Sequence, residues 1–225
     1  MILLNVIKDT FVQLYEYLFR IVFLSLIMFI LIIPLLLSYP VSWITLAAIP
    51  YILIISGPVL LSAIKMIWGL QNRESFSFKK FFRGIKRYFK RGVLAFLFTT
   101  VIYVVLVFDL WYFFSKSGGN IIFLIIALLM FYVFVFFSLM QLYFWPLLVM
   151  QEEESLRTII KRSFLLTFDN IIFAIGLGIF FILYTVLATI LVLPIPALYF
   201  GSIVLLVLNG TSYTLKKYEM EQEED

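Results

Sequence analysis

Cysteine and histidine are both absent from the 225 residues. Their absence excludes disulfides, thiolate and imidazole metal sites, cysteine nucleophiles, histidine general bases and the corresponding haem ligands. It leaves the redox compartment open. Charge is scarce as well, at 13% of residues against roughly 25% in a typical soluble domain, while 64% are hydrophobic and the mean hydropathy is +1.11. Such a chain lacks the polar groups to cover a globular surface, so the bilayer is its solvent. No phosphate-binding loop or nucleophile elbow is present. The chain is therefore read as non-enzymatic, with no cofactor and no metal.

What is present is a series of long charge-free runs. Residues 21–64 contain no charged side chain. As one helix they would span about 66 Å at 1.5 Å per residue, twice the ~30 Å hydrocarbon core, so the run must turn back once. The turn is placed at Ser38, Tyr39, Pro40, Val41, Ser42 and Trp43. The pattern predicts spans over residues 21–37, 44–64, 93–113, 121–149, 171–193 and 197–215. A Ser115 to Asn120 turn separates the third and fourth, and Pro194, Ile195 and Pro196 the last two. Lys8, Asp9, Glu16 and Arg20 precede the first span, unlike a cleavable leader. Phe11, Leu14, Tyr15, Leu18, Phe19 and Val22 recur at helical spacing, with Thr10 and Gln13 as a capping box, which predicts an amphipathic entry helix with its polar face at the surface. The expected fold class is all-α, a polytopic membrane protein with about six transmembrane helices and amphipathic cytoplasmic helices. Residues 1–215 form one transmembrane domain and residues 216–225 a solvated acidic tail.

Charge sets the orientation. Residues 65–92 hold nine of the seventeen basic residues and one acid, Glu74. With six spans and both termini inside, sixteen basic residues are cytoplasmic and one, Lys116, is external, as the positive-inside rule requires. The expected location is the bacterial inner membrane.

Within the basic segment, Phe78, Phe81, Phe82, Ile85, Tyr88 and Phe89 recur every three or four residues, and Lys79, Lys80, Arg83, Lys86, Arg87, Lys90 and Arg91 fill the rest. The spacing predicts a basic amphipathic helix from residue 76 to 91 that lies in the headgroup region. Its rings would enter the acyl boundary and its cations would attract anionic phospholipid at ~1 kcal/mol each. Phe78, Lys79, Lys80, Phe81, Phe82, Arg83, Ile85, Lys86, Arg87 and Phe89 are the expected lipid or partner contacts, and nucleic acid is not an expected partner. The plainer alternative is an anchor that only fixes orientation.

A second charged segment carries Glu152, Glu153 and Glu154, read as acids favouring a helix N-terminus rather than as a cation site. Leu156, Ile159, Ile160, Phe164 and Phe168 form the expected apolar face of the helix that follows. Glu74-Ser75-Phe76 and Glu154-Ser155-Leu156 each open a charged segment that runs on to a Lys-Arg pair, Lys86-Arg87 and Lys161-Arg162, which is compatible with a parallel internal repeat. Asp109 lies at the outer end of its span and is read as interfacial. Gln141, Asn209, Thr99, Thr100, Thr185 and Thr189 are read as interhelical hydrogen-bonding groups, and Ala174, Gly176 and Gly178 as a close-packing stripe.

Gly57, Pro58, Val59 and Ala63, the polar stretch 72–75, and then Phe81, Phe82, Lys86, Arg87 and Phe89 resemble the GPxxxA, polar linker and F-F-x-x-x-K-x-x-F pattern of the YesL-like family of bacterial integral membrane proteins. The resemblance implies an accessory role near carbohydrate uptake and supplies no catalytic residues. The leading expectation is a non-enzymatic accessory or scaffold protein associated with a membrane transport complex. The alternative is a transport permease or channel for a small solute, although neither charged segment shows the EAA-type coupling loop of an ABC permease and the spans bury almost no charge.

Overall fold

A computed structural model describes residues 2–38, 42–191 and 195–223. The chain is an all-α polytopic membrane protein, with no strand among the described residues. Helix α1 (Ile2–Glu16) breaks at Tyr17 into α2 (Leu18–Ser38), and the two meet at 92°. Then come α3 (Ser42–Gln71), the short α4 (Phe78–Arg87), α5 (Phe89–Lys116), α6 (Ile121–Met150), α7 (Leu156–Asp169) and α8 (Ile171–Leu191). A π-helical turn, Ile195–Tyr199, leads into α9 (Phe200–Glu223).

Among the described residues, five helices are long and apolar enough to cross a bilayer, and six if α1 and α2 count as one bent span. The apolar windows of α3 and α9 are 56% buried, against 17%, 11% and 17% for α5, α6 and α8. Helices α3 and α9 therefore form the centre, and α5, α6 and α8 present continuous hydrocarbon outward. Leu61, Ile67, Tyr143, Phe144, Leu147, Leu148, Leu177 and Leu205 fill the space between them.

Two close approaches set the position of α5 against α3. A Cβ at Gly57 would lie 2.0 Å from the Gly92 carbonyl oxygen, and one at Gly92 would lie 2.5 Å from the Pro58 nitrogen. Only residues without a side chain allow the two backbones to touch there, the small-residue logic of membrane helix packing. Pro34, Pro50, Pro58 and Pro146 all sit inside helices.

The sequence expectations need correction at several places. The N-terminal capping box does not form, because α1 begins well before Thr10, whose hydroxyl instead donates to the Val6 carbonyl at 2.7 Å. Part of the apolar repeat of this region faces outward, with Tyr15 84% and Phe19 89% exposed, while Leu14 packs against the core and Val6 and Thr10 turn inward. The inward polar side chains are paired across helices instead. Asn209 Nδ2 donates to Thr10 Oγ1 at 3.0 Å, and Gln71 Nε2 donates to Asn209 Oδ1 at 2.7 Å and to Gln13 Oε1 at 2.9 Å, joining α1, α3 and α9. Beyond residue 215 the expected tail continues as helix to Glu223. The loop expected from residue 65 is the last part of α3 as far as Gln71. The first turn, at Ser38 to Trp43, centres on residues 39–41, which lie outside the described residues, as does Pro194.

Several of the expected interhelical polar contacts and close-packing positions are present, and the turn before α6 ends in a cap. Asn120 caps α6, its Oδ1 accepting from the Ile122 amide at 3.0 Å. Thr99 Oγ1 donates to Gln141 Oε1 at 3.4 Å, and Thr185 shares a hydrogen bond of 2.9 Å with the Tyr199 hydroxyl. Thr189, by contrast, is exposed and donates within its own helix to the Thr185 carbonyl, so the interhelical bond expected of it is not made among the described residues. Gly176 leaves room for Leu3 of α1, and Gly178 for Leu139 of α6. Asp109 is half-buried and has no ion pair among the described residues.

Candidate functional site

Most of the charge gathers at one end of the bundle, where α3 stops. Arg73 adopts φ 60°, its amide donates to the Leu70 carbonyl at 3.1 Å, and the Glu74 amide reaches back to the Gly69 carbonyl at 2.8 Å. This pair of bonds is a Schellman termination, usually built on glycine. It reverses the chain so that Glu74 lies over Gly69, Gly84 over Ser62 and Gly92 over Gly57. Helix α4 thus runs back along the end of α3.

The expected single helix 76–91 is divided at Tyr88, where the backbone (φ −89°, ψ 6°) ends α4 and starts α5. Phe81 is wholly buried and Ile85 half-buried against α3, so the expected aromatic stripe is not one outward face. A Cβ at Gly84 would lie 2.4 Å from Ser62 Oγ, which donates to the Phe81 carbonyl at 2.6 Å. That contact draws α4 onto α3. Phe78, Phe82 and Phe89 remain exposed, and Phe78 stacks edge-on against Phe23 of α2 with ring centroids 4.2 Å apart.

The cations also divide into two sets. Lys79, Lys86 and Lys90 point outward beside Phe78, Phe82 and Phe89, with no carboxylate partner among the described residues. Lys80, Arg83 and Arg87, at helical spacing on another face, join Lys65 of α3 in lining a cleft of about 220 Å³ between α3 and α4, with Ser62, Gly69, Glu74, Gly84 and Tyr88. Lys80 lies 3.6 Å from Glu74 and donates to Ser75 Oγ at 3.3 Å. Arg83 has no carboxylate partner among the described residues.

Sequence reasoning missed the centre of this end. Glu152, read as a helix-terminus acid, turns away from α7 and takes Lys65 Nζ at 2.9 Å, the Arg87 guanidinium and the Tyr88 hydroxyl on its carboxylate. Arg91 donates to the Glu152 carbonyl, and also to the Gln151 carbonyl at 3.0 Å. Arg162 donates to Gln151 Oε1 at 2.7 Å and pairs with Glu154 at 2.9 Å. Burial alone would raise the Glu152 carboxyl, but the Tyr88 hydroxyl, Lys65 and Arg87 outweigh it and hold it below the ordinary carboxylate range. Burial, followed by the bond to Glu152, pushes the Tyr88 phenol up, so it remains a donor. A second, open concavity of about 730 Å³ lies on the other side of this clasp, lined by Trp68, Arg91, Gln151, Glu154 and Arg162. The signal in sequence was the one acid run that faces the basic segment across two spans.

Helix α7 is capped by Ser155, whose Oγ accepts from the Thr158 amide at 3.1 Å. In α4, by contrast, Ser77 and not Ser75 holds the cap position and makes no capping bond, so the proposed repeat does not extend to matching caps. The buried face of α7 is Ile159, Ser163, Leu166 and Thr167, with Phe164 and Phe168 exposed, a rotation from the expected apolar face. Ser163 and Thr167 satisfy their hydroxyls on the Ile159 and Ser163 carbonyls, both at 2.7 Å, which makes them compatible with burial against α6.

Among the described residues, no group of acidic side chains is arranged to hold a metal ion. A separate groove of about 630 Å³ opens between α6, α8 and α9, lined by apolar side chains such as Leu142, Ile179 and Val207, with Tyr103, Ser138 and Gln141 as its polar members. No protein-family model, curated protein or solved structure matches this chain.

Proposed function

We propose that this chain is a non-enzymatic accessory protein of the bacterial cytoplasmic membrane, of the YesL-like kind, whose charged end docks on anionic phospholipid and on a membrane transport complex serving carbohydrate uptake. The observation that carries the reading is the exposure of Lys79, Lys86 and Lys90 together with Phe78, Phe82 and Phe89 around the junction of α4 and α5. Cations flanked by exposed rings fit a headgroup region better than bulk water. The sixteen-to-one distribution of basic residues supports a cytoplasmic charged end and cytoplasmic termini.

The test is extraction from native membranes in mild detergent, with mass spectrometry of retained lipids and proteins. Anionic phospholipid and a sugar-uptake complex are expected to co-purify with the native chain. Both are expected to fall when Lys79, Lys86 and Lys90 are replaced by Gln. Equal retention of neutral and anionic lipid, with no transport protein recovered, would defeat the reading. The groove with Tyr103, Ser138 and Gln141 favours a second reading, a permease or channel for a small, largely apolar solute. Solute flux into proteoliposomes holding this chain alone would distinguish the two.

A further inference from the structure

The cleft between α3 and α4 has the chemistry of an anion site. Its wall carries Lys65, Lys80, Arg83 and Arg87 against one lining carboxylate, Glu74. Glu152 reaches Lys65 and Arg87 from the far side, and Glu74 is held by Lys80, so positive charge remains in excess. Arg83 contributes a planar guanidinium with several donors and no carboxylate partner among the described residues, which suits the tetrahedral oxygens of a phosphate better than a lone ammonium would. The volume of about 220 Å³ is many times the ~10–15 Å³ that one water needs, so a phosphate with part of its ester fits. The floor is fixed, because the Ser62 hydroxyl is committed to the Phe81 carbonyl and Gly84 is pressed on Ser62.

We infer that this cleft binds a phosphate ester, with Arg83 and Lys80 meeting the phosphate at the mouth and Lys65 and Arg87 forming the inner wall. The inference rests on the docking reading only in bringing the cleft to a bilayer, where the ester would be a lipid headgroup. A soluble phosphate ester is the other source of the same chemistry. Because Lys65 and Arg87 also hold Glu152, an anion in the cleft competes for cations that clasp the two charged segments together. Occupancy therefore loosens the grip on Glu152.

The decisive comparison sets two substitutions of equal charge against each other in the full-length protein. Arg83→Gln removes a cleft cation, and Lys79→Gln removes an outward one. In neutral detergent, glycerol phosphate and inorganic phosphate are titrated by calorimetry. In nanodiscs of phosphatidylcholine with increasing phosphatidylglycerol, retained lipid is measured by native mass spectrometry. Arg83→Gln is expected to weaken binding by at least about tenfold, the loss of a charged hydrogen-bond pair, and Lys79→Gln by less than about threefold. A response in the detergent arm assigns the site to soluble esters. A response confined to nanodiscs assigns it to a lipid headgroup. Equal weakening by the two substitutions overturns the cleft and leaves docking by diffuse charge intact. Absence of phosphate binding in both arms also overturns the cleft. Indifference to anionic lipid defeats the docking reading, and binding of soluble phosphate that depends on Arg83 would still support the cleft. Thermal unfolding of both variants confirms that each is folded, and Arg83→Lys, which restores charge without the planar fork, is expected to recover binding only in part.

Discussion

The Tyr88 hydroxyl donates to the Glu152 carboxylate across 64 positions of sequence, and through that bond the junction of α4 and α5 is tied to the segment that follows α6. Lys65 and Arg87 share the same carboxylate. Glu152→Gln should therefore lower stability in detergent by about 1–3 kcal/mol, since it strips charge from several donors at once. A double-mutant cycle with Tyr88→Phe should show non-additivity of at least about 0.5 kcal/mol. Additive effects in thermal or denaturant unfolding would mean the two side chains act independently.

Acid should act on the same bond with a definite sign. The folded-state pKa of Glu152 lies below its ordinary value of 4.5. Its contribution is thus fully present above that value and is lost as the pH falls through the lower, folded one. Native protein is expected to show an acid-dependent loss of stability below about pH 4.5 that is smaller in Glu152→Gln, and no difference in slope between the two from pH 6 to 8. Parallel profiles across the acid range would refute the sign.

Arg73 occupies a left-handed backbone position that costs a side-chain-bearing residue roughly 1 kcal/mol. Arg73→Gly should stabilise the end of α3 by a few tenths to about 1 kcal/mol, after allowing for the added freedom of the unfolded chain. Calorimetric or denaturant unfolding in a fixed detergent measures it, and a loss of stability would show that the arginine side chain outweighs the backbone term.

The contact of Gly57 with Gly92 tolerates no side chain. Gly57→Leu should prevent α5 from seating on α3 and sharply reduce folded yield, with a cost above the 1–3 kcal/mol of ordinary overpacking because backbone must move. Gly118→Ala, where a Cβ meets nothing within 4 Å, serves as the control. Comparable monodispersity of the two on size-exclusion chromatography would argue against the close approach.

Orientation is open to direct labelling, since the chain has no native cysteine. Ser77→Cys at the start of α4 and Ser117→Cys at the end of α5 should react from opposite sides of the membrane, the second alone with an impermeant external reagent. Equal external labelling would reverse or abolish the assigned topology.

Long apolar runs predict α5, α6 and α8 to within a few residues, because in a bilayer hydrophobic length and helix length are nearly the same constraint. Periodicity failed where helices lie beside charged segments. There lipid and protein interior are both apolar, so a stripe such as Phe78, Phe81 and Phe82 does not reveal which ring faces inward. Phe81 was separated from its neighbours by Gly84 and Ser62, a contact between two elements that no single-helix pattern contains. The cations near residue 80 were legible as a cluster, but their division into an outward set and a cleft set depended on the reversal at Arg73. Glu152 was hidden for the same reason: a carboxylate next to a helix start has an adequate local explanation, and its actual partners lie about sixty to ninety residues away.

The hydrogen bond from Asn209 to Thr10 joins positions 199 residues apart, and this imposes an order of events on synthesis. Thr10 is made well before Asn209, and its Oγ1 can accept from the Asn209 amide only once α9 has been synthesised. At ~5–20 residues per second that is a wait of roughly 10–40 s. Through that interval Thr10 keeps its own bond to the Val6 carbonyl, and Gln13 can already meet Gln71 of α3, only 58 residues further along the chain, so α1 can dock on α3 first and Asn209 closes the network afterwards.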